Sequence, residues 1–401
     1  MARMEADGSR GPERPSVPAG GVPATGRGAL IWLVAQQERS AAGLREVAAR
    51  LCGLRAGLGA LVLHADHLAP PTEQPGVSGL AFGADRPARW RALMQEAPPD
   101  VVVVSGERLM PGLLKCAREA GVPVIVTEAR EPVLPRSWSL WPRLARDLLR
   151  SLHCVFLDDG ATASDWTQRG TLDVQVRAAG ALARHPGALI CNEAEQRAMA
   201  QALQLRPVWL AAGLPQSELD AVLDAHRAAL RLSHRLLLIV HPDLASEGPE
   251  LRRAIAQRFT TALRSVDESI VRETQVYVAD TEGERGLWYR LAPASFMGGS
   301  LSPGGSRLNP MEAAALGSAL VHGGAEGQFG PAYRDLAAAQ ATLRIARPQM
   351  LEAAVCRLLD PEQAAQLASR AWGVASAGAE ATDLVLRAIL DALSRDIRKP
   401  G

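Results

Sequence analysis

The residues best suited to chemistry lie between Phe296 and Glu312. Phe296-Met297 ends an apolar run, and Gly298-Gly299-Ser300-Leu301 opens a glycine-rich loop that continues through Gly304, Gly305, Ser306 and Arg307. Glycine lets backbone amides approach a ligand with no side chain in the way. A helix is predicted to follow, with Asn309 as N-cap, Pro310 in the first helical position and Glu312 completing a capping-box-like pattern. Free amides and a helix N-terminus favour an anion such as a nucleotide phosphate. The same pattern equally describes a plain strand–turn–helix connection, because neither Gly-x-Gly-x-x-Gly nor P-loop spacing is present.

His241-Pro242-Asp243 follows the apolar run Leu236–Val240. The C-terminal end of a parallel strand is where ligands bind, and an imidazole there is placed to donate to phosphate. A solvent-facing histidine at a turn is the commoner use of this pattern. His64 and His67 flank Asp66 after another apolar run. Without a third ligand they read as an ordinary loop. Trp138 and Trp141 precede a segment in which Leu144 and Leu148 share one helical face and Arg143, Arg146 and Arg150 another. Aromatic, leucine and arginine residues so arranged suit a membrane interface, though a surface helix packed on the first sheet is the commoner use of this pattern.

Short apolar runs alternating with amphipathic segments must position these residues. Strands are predicted at 29–35, 60–64, 101–105, 122–127, 153–157 and 174–178, with helices over 40–54, 87–96 and 111–120. A second set has strands at 208–212, 236–240, 275–279, 294–297 and 319–322, with helices over 217–230, 251–266, 283–291 and 309–316. The tail from Pro348 to Arg398 reads as helices, with Asp360-Pro361 marking a new helix start. Continuous Val/Ile/Leu runs between helices indicate parallel sheets covered on both faces. Two doubly wound α/β lobes with a cleft between them are the simplest architecture.

Composition bounds the function. The 401 residues are 47% hydrophobic, 22% charged and 4% aromatic, with a formal net charge of +1. A nearly neutral chain has no global field for nucleic acid, so nucleic-acid binding is disfavoured. The basic residues are almost all Arg, with Lys only at Lys115 and Lys399. No run is long and apolar enough to span a bilayer, and residues 1–28 lack the apolar core of a signal peptide. They read as a disordered leader, and the chain is expected to be cytoplasmic. Cys52, Cys116, Cys154, Cys191 and Cys356 are widely spaced and odd in number, which argues against a disulfide framework or a Cys-x-x-Cys metal site.

The stretch Asp280–Ala292, followed by Phe296-Met297-Gly298-Gly299-Ser300-Leu301 and by Asn309-Pro310-Met311-Glu312-Ala313-Ala314-Ala315-Leu316-Gly317, resembles the 3-deoxy-D-manno-octulosonic acid (Kdo) transferases in residues, order and spacing. The resemblance is specific over these segments and extends more loosely from Leu30 to the C-terminus. It implies a GT-B fold: a leader at 1–28, an acceptor-side Rossmann-like domain at 29–185, a linker at 186–206, a nucleotide-sugar domain at 207–360 and C-terminal helices at 361–401. It implies an inverting transfer of Kdo from CMP-Kdo to a lipid A precursor in lipopolysaccharide synthesis, peripheral to the cytoplasmic face of the inner membrane. No cofactor or metal is expected. His241, Gly298, Gly299, Ser300, Asn309 and Glu312 would surround the cytidine nucleotide, with Glu312 toward the ribose hydroxyls. Arg307 is expected to restore a positive charge where the family has histidine. Arg130, Trp138, Trp141 and Arg143 would lie on the acceptor or membrane side.

The first half departs from the family pattern. The position of the family's general base falls on Ser40, and Glu38, two residues earlier, is the nearest substitute. A serine without a partner cannot act as a base at neutral pH. Glu128-Ala129-Arg130 replaces Asn-Ala-Arg, Arg108 replaces a carboxylate, and Ala183 replaces a lysine. The customary N-terminal anchor is not seen. These losses cluster on the acceptor side. They keep open a non-catalytic or acceptor-altered relative that binds nucleotide or lipid, and a GT-B enzyme for another nucleotide sugar.

Overall fold

The run Leu30–Ala35 (LIWLVA) is buried at every position, which a strand tolerates only when both faces of its sheet are covered. Its alternate residues face different layers. Ile31, Leu33 and Ala35 join one apolar cluster, and Leu30, Trp32 and Val34 join another. In the computed structural model the described residues are 28–54, 57–68, 75–105, 108–130, 142–159, 161, 163–167, 174–204 and 206–396. Residues 1–27 of the expected leader, Trp138 and Trp141 lie outside them.

The first lobe comprises the chain up to Arg184 together with Gly378 onward. Its elements run β1 (Leu30–Ala35), α1 (Glu38–Leu54), β2 (Gly59–His64), β3 (Val77–Ala81), α2 (Pro87–Glu96), β4 (Val101–Ser105), α3 (Pro111–Ala120), β5 (Val124–Ala129), α4 (Pro142–Arg150), β6 (Leu152–Leu157), α5 (Ala163–Thr167) and β7 (Gln175–Ala178). The seven strands are parallel in the order β3-β2-β1-β4-β5-β6-β7.

The second lobe spans His185–Ala377. It runs α6 (Glu193–Leu203), β8 (Val208–Leu214), α7 (Leu219–Leu232), β9 (Leu237–Pro242), α8 (Gly248–Ile255), β10 (Thr261–Leu263), β11 (Val276–Val278), α9 (Arg285–Leu291), β12 (Ala294–Met297), α10 (Pro310–Ala315), β13 (Ala319–His322), α11 (Gly330–Ala338), β14 (Thr342–Arg344), α12 (Met350–Leu358) and α13 (Pro361–Ser376). Its parallel sheet has the order β10-β11-β9-β8-β12-β13-β14. The final helix, α14 (Ala379–Asp396), belongs to the first lobe, where Ala381, Val385 and Ile389 pack beside Ile31 and Leu33. Each lobe is doubly wound and Rossmann-like, the GT-B fold class expected.

The structure departs from the expected elements in three places. The helix expected over 251–266 ends at Ile255, and Thr261–Leu263 is a strand. Leu251, Ile255, Phe259 and Leu263 all enter one core. Their four-residue spacing imitates a helix across the break, so periodicity alone cannot see it. Three strands unread in the sequence, β3, β10 and β14, are all edge strands. A short strand with one neighbour needs no long apolar run. Within the stretch expected as linker, Glu193–Leu203 is helical, capped by Asn192.

Candidate functional site

In the second lobe the strand order reverses between β8 and β12. Such a switch point opens a crevice at the strands' C-terminal ends, where doubly wound sheets bind ligands. The glycine-rich loop begins there. A Cβ on Gly298 would stand 2.3 Å from the Gly213 carbonyl oxygen, and Gly299 has φ +76°, so both positions require glycine. The amides of Gly299 and Leu301 donate to the two oxygens of Glu218, at 2.9 and 2.8 Å. Glu218 is buried, and burial raises its pKa against those hydrogen bonds, which lower it. The Ser300 hydroxyl donates to the Met297 carbonyl and accepts from the Gly323 amide at 2.8 Å. The groups expected to face a ligand, the Gly299 amide and the Ser300 hydroxyl, are therefore turned inward. The acid that uses the amide is 81 residues away in sequence. Gly298, Gly299 and Ser300 are all buried and shape the crevice wall.

The start of α10 is built as its sequence suggests, with one change. Asn309 accepts from the Met311 amide at 3.0 Å. Glu312 does not complete a capping box. Its Oε1 accepts instead from Arg285 Nη2 at 3.4 Å, and its Oε2 is buried without a hydrogen-bond partner. Burial raises the Glu312 pKa, and Arg285 opposes that shift. Arg285 opens α9, and with His241 at the end of β9 it lines a pocket of about 420 Å³ that also includes Asp243, Thr281 and Glu282. Burial, reinforced by the Arg285 charge, lowers the His241 pKa to about 4, and its Nδ1 is buried without a partner. The imidazole is thus neutral at pH 7, a hydrogen-bonding group rather than a cation. Arg307 is exposed and donates to Asp243 at 3.0 Å. His241, Arg285 and Glu312 thus form one electrostatic group, with the Arg307–Asp243 pair beside it.

Sequence reading missed Glu218 and Arg285. Glu218 reads as an ordinary acid near a helix start, and the partner of Arg285 lies 27 residues away. Neither carries a local signal.

The first-lobe residues are not gathered into one site. Glu38 opens α1, where a carboxylate favours the helix N-terminus. It is exposed and faces Arg45 at 3.5 Å. Ser40, 5% exposed, is buried in the same turn, so it has no open approach for an acceptor hydroxyl. Gln36 Nε2 donates to the Arg108 carbonyl at 2.7 Å. Glu128 is buried with φ +52°, accepting from the Ser105 hydroxyl and from the Leu182 amide at 3.1 Å. Arg130 pairs with Asp158 at 3.1 Å. On α4, Arg143, Arg146 and Arg150 are exposed, while Leu148 and Leu149 are buried in the lobe's own core. The apolar residues of α4 that are described are thus committed to the sheet. Among the described residues no helix is long and apolar enough to cross a membrane.

Comparison with known proteins finds similarity to Kdo transferases. Residues 65–183 match the profile described as 3-deoxy-D-manno-octulosonic-acid transferase (kdotransferase). The 3-deoxy-D-manno-octulosonic acid transferase of Haemophilus influenzae is 32% identical over 164 residues, 40% of this chain and 38% of that protein. The protein of the same name from Bordetella pertussis is 28% identical over 328 residues, 77% of this chain and 72% of that protein. The chain is similar to Kdo transferases over part of its length and, at lower identity, over most of it. The Kdo transferase profile falls on the first lobe, where the sequence departs most from the family's motifs. Among solved structures, the C-terminal CMP-Kdo binding domain of WaaA from Acinetobacter baumannii is 30% identical, covering 46% of this chain and 98% of that chain, with a TM-score of 0.42. The match to the Haemophilus protein spans well under half of that protein's length.

Proposed function

We propose that the chain is a glycosyltransferase that carries Kdo from CMP-Kdo to a lipid A precursor. The observation that carries this reading is the pocket at the end of β9, lined by His241, whose buried Nδ1 has no partner, and by Arg285, which reaches out to Glu312 and its partnerless Oε2. Orphaned polar atoms are costly unless a ligand satisfies them. The cytidine nucleotide binds among His241, Arg307, Asn309 and Glu312, with Gly298, Gly299 and Ser300 shaping the wall and Glu312 toward the ribose hydroxyls. The acceptor hydroxyl attacks the anomeric carbon in an inverting displacement, its proton passes to Glu38, and CMP leaves. A neutral imidazole and a helix N-terminus at the phosphate stabilise the departing charge. No metal or cofactor takes part in this scheme. On the acceptor side Arg130 and the arginines of α4 lie toward the anionic membrane surface. Contact through arginines alone is an electrostatic attachment, weakened by salt. The protein then works at the cytoplasmic face of the inner membrane.

Calorimetric titration with CMP, with UMP and UDP as controls, tests the donor reading. Selective CMP binding is expected, with at least a tenfold loss (about 1.4 kcal/mol) in Glu312→Ala of unchanged circular dichroism. Unchanged binding in that variant would count against it.

A second reading is favoured by the first lobe. Ser40 is buried and Glu38 is drawn to Arg45, an arrangement that suits a nucleotide- or lipid-binding protein without transfer activity. CMP binding with no transfer from CMP-Kdo to a lipid A precursor would select it.

A further inference from the structure

We infer that Arg285 is an anion-binding residue of the His241 pocket, taking the phosphate of a nucleotide with the guanidinium donors that Glu312 leaves unused. The inference rests on the nucleotide reading above and adds to it the residue that supplies the charge. A guanidinium carries five N–H donors in a planar fork. Among the described residues one of them, on Nη2, reaches Glu312, at a long 3.4 Å. The side chain is half-buried and lines the pocket beside His241. Arginine forks match phosphate oxygens in pairs, which a single long contact to a carboxylate does not exhaust.

The other charged groups leave this task to Arg285. His241 is neutral at pH 7. Asp243 and Glu282 line the same pocket and repel an anion. Arg307 offsets Asp243 at 3.0 Å from an exposed position. Arg285 is thus the cation among the lining residues, and without it a phosphate would meet acids and a neutral ring. The same residue holds Glu312 in place, so a phosphate and the groups reaching Glu312 would be bound through one guanidinium.

The test is titration of the full chain and of Arg285→Met with CMP, UMP and cytidine, at low and moderate salt, with circular dichroism confirming the fold. CMP affinity is expected to fall at least tenfold in R285M and to lose part of its salt dependence. Weak cytidine binding should stay the same. Arg285→Lys should recover part of the CMP loss, because it restores charge without the fork. If CMP and cytidine weaken equally in R285M, Arg285 acts only by holding Glu312, and the anion assignment falls. If CMP binding is undiminished in R285M, that assignment also falls while the cytidine reading stands. If the wild type prefers UMP and R285M loses it, Arg285 keeps its role and the cytidine reading falls. If the wild type binds none of the three, both fall.

Discussion

At the scale of residues, the second lobe sets an uncharged imidazole beside a permanent cation. An arriving phosphate changes that balance, because an anion favours the charged form of a histidine. The pKa of His241, about 4 in this structure, must then rise in the complex. Binding therefore takes up a proton as pH falls through the raised value, and affinity for CMP from pH 7 toward pH 5.5 should rise relative to His241→Gln, since the phosphate's own titration near pH ~6 is common to both. Titration in buffers of different ionisation enthalpy reads the proton uptake directly. Glu312 also binds protons more readily than an ordinary carboxylate, because it is buried, so His241→Gln is the control that isolates the ring. A profile identical in wild type and His241→Gln would mean that the phosphate does not approach the imidazole. Glu38 and Ser40 illustrate the opposite case. Their positions were legible as the place where a base belongs, but one is exposed against Arg45 and the other is packed away.

At the scale of elements, the glycine-rich loop after β12 is held by Glu218 at the start of α7. Two amides converge on one buried carboxylate, and hydrogen bonds to charged groups are among the stronger ones in a fold. Glu218→Ala leaves both amides without a partner and should destabilise the protein by about 3 kcal/mol. Glu218→Gln keeps one acceptor and should lose less. Denaturant midpoints of the two variants check this order, and equal midpoints would mean that water replaces the carboxylate. Elements with local signals were legible. Asp360 accepts from the Glu362 amide at 2.9 Å with Pro361 in the first helical position, as the dipeptide suggests. Elements defined by a neighbour were not legible. Thr261–Leu263 is a strand because Val276–Val278 lies beside it, and its apolar spacing alone continues a helix.

At the scale of the whole molecule, the chain leaves the first lobe after Arg184 and returns to it at Gly378. The return is pinned. Gly378 has φ +79°, a Cβ there would stand 2.4 Å from the Ala183 nitrogen, and the Ala183 amide donates to Thr382 at 2.9 Å. Helix α14 then covers one face of the first sheet with Val385, Leu386, Ile389 and Leu393, all buried. Full burial of each such side chain contributes ~1.5–3 kcal/mol, and a domain's net stability is only ~5–15 kcal/mol. A chain ending at Ala377 should therefore lose the folded first lobe. Limited proteolysis should cleave it rapidly between β1 and β7. Protease resistance equal to the full chain would show that α14 is dispensable.

The sequence by itself determined what depends on neighbours along the chain: the alternation of buried strands and amphipathic helices, the two doubly wound lobes, the caps at Asn309 and Asp360, and the stretch from Asp280 to Gly317 that carries the family resemblance. These follow from periodicity and from hydrogen bonds two or three residues long. Only the tertiary structure decided which groups remain for chemistry. It turned Ser300 and the Gly299 amide inward onto Gly323 and Glu218, drew Glu312 away from its cap to Arg285, and carried α14 back to the first lobe. Each of these joins residues far apart in sequence. A buried polar group must find a partner wherever the fold supplies one, and sequence spacing does not record which partner that is.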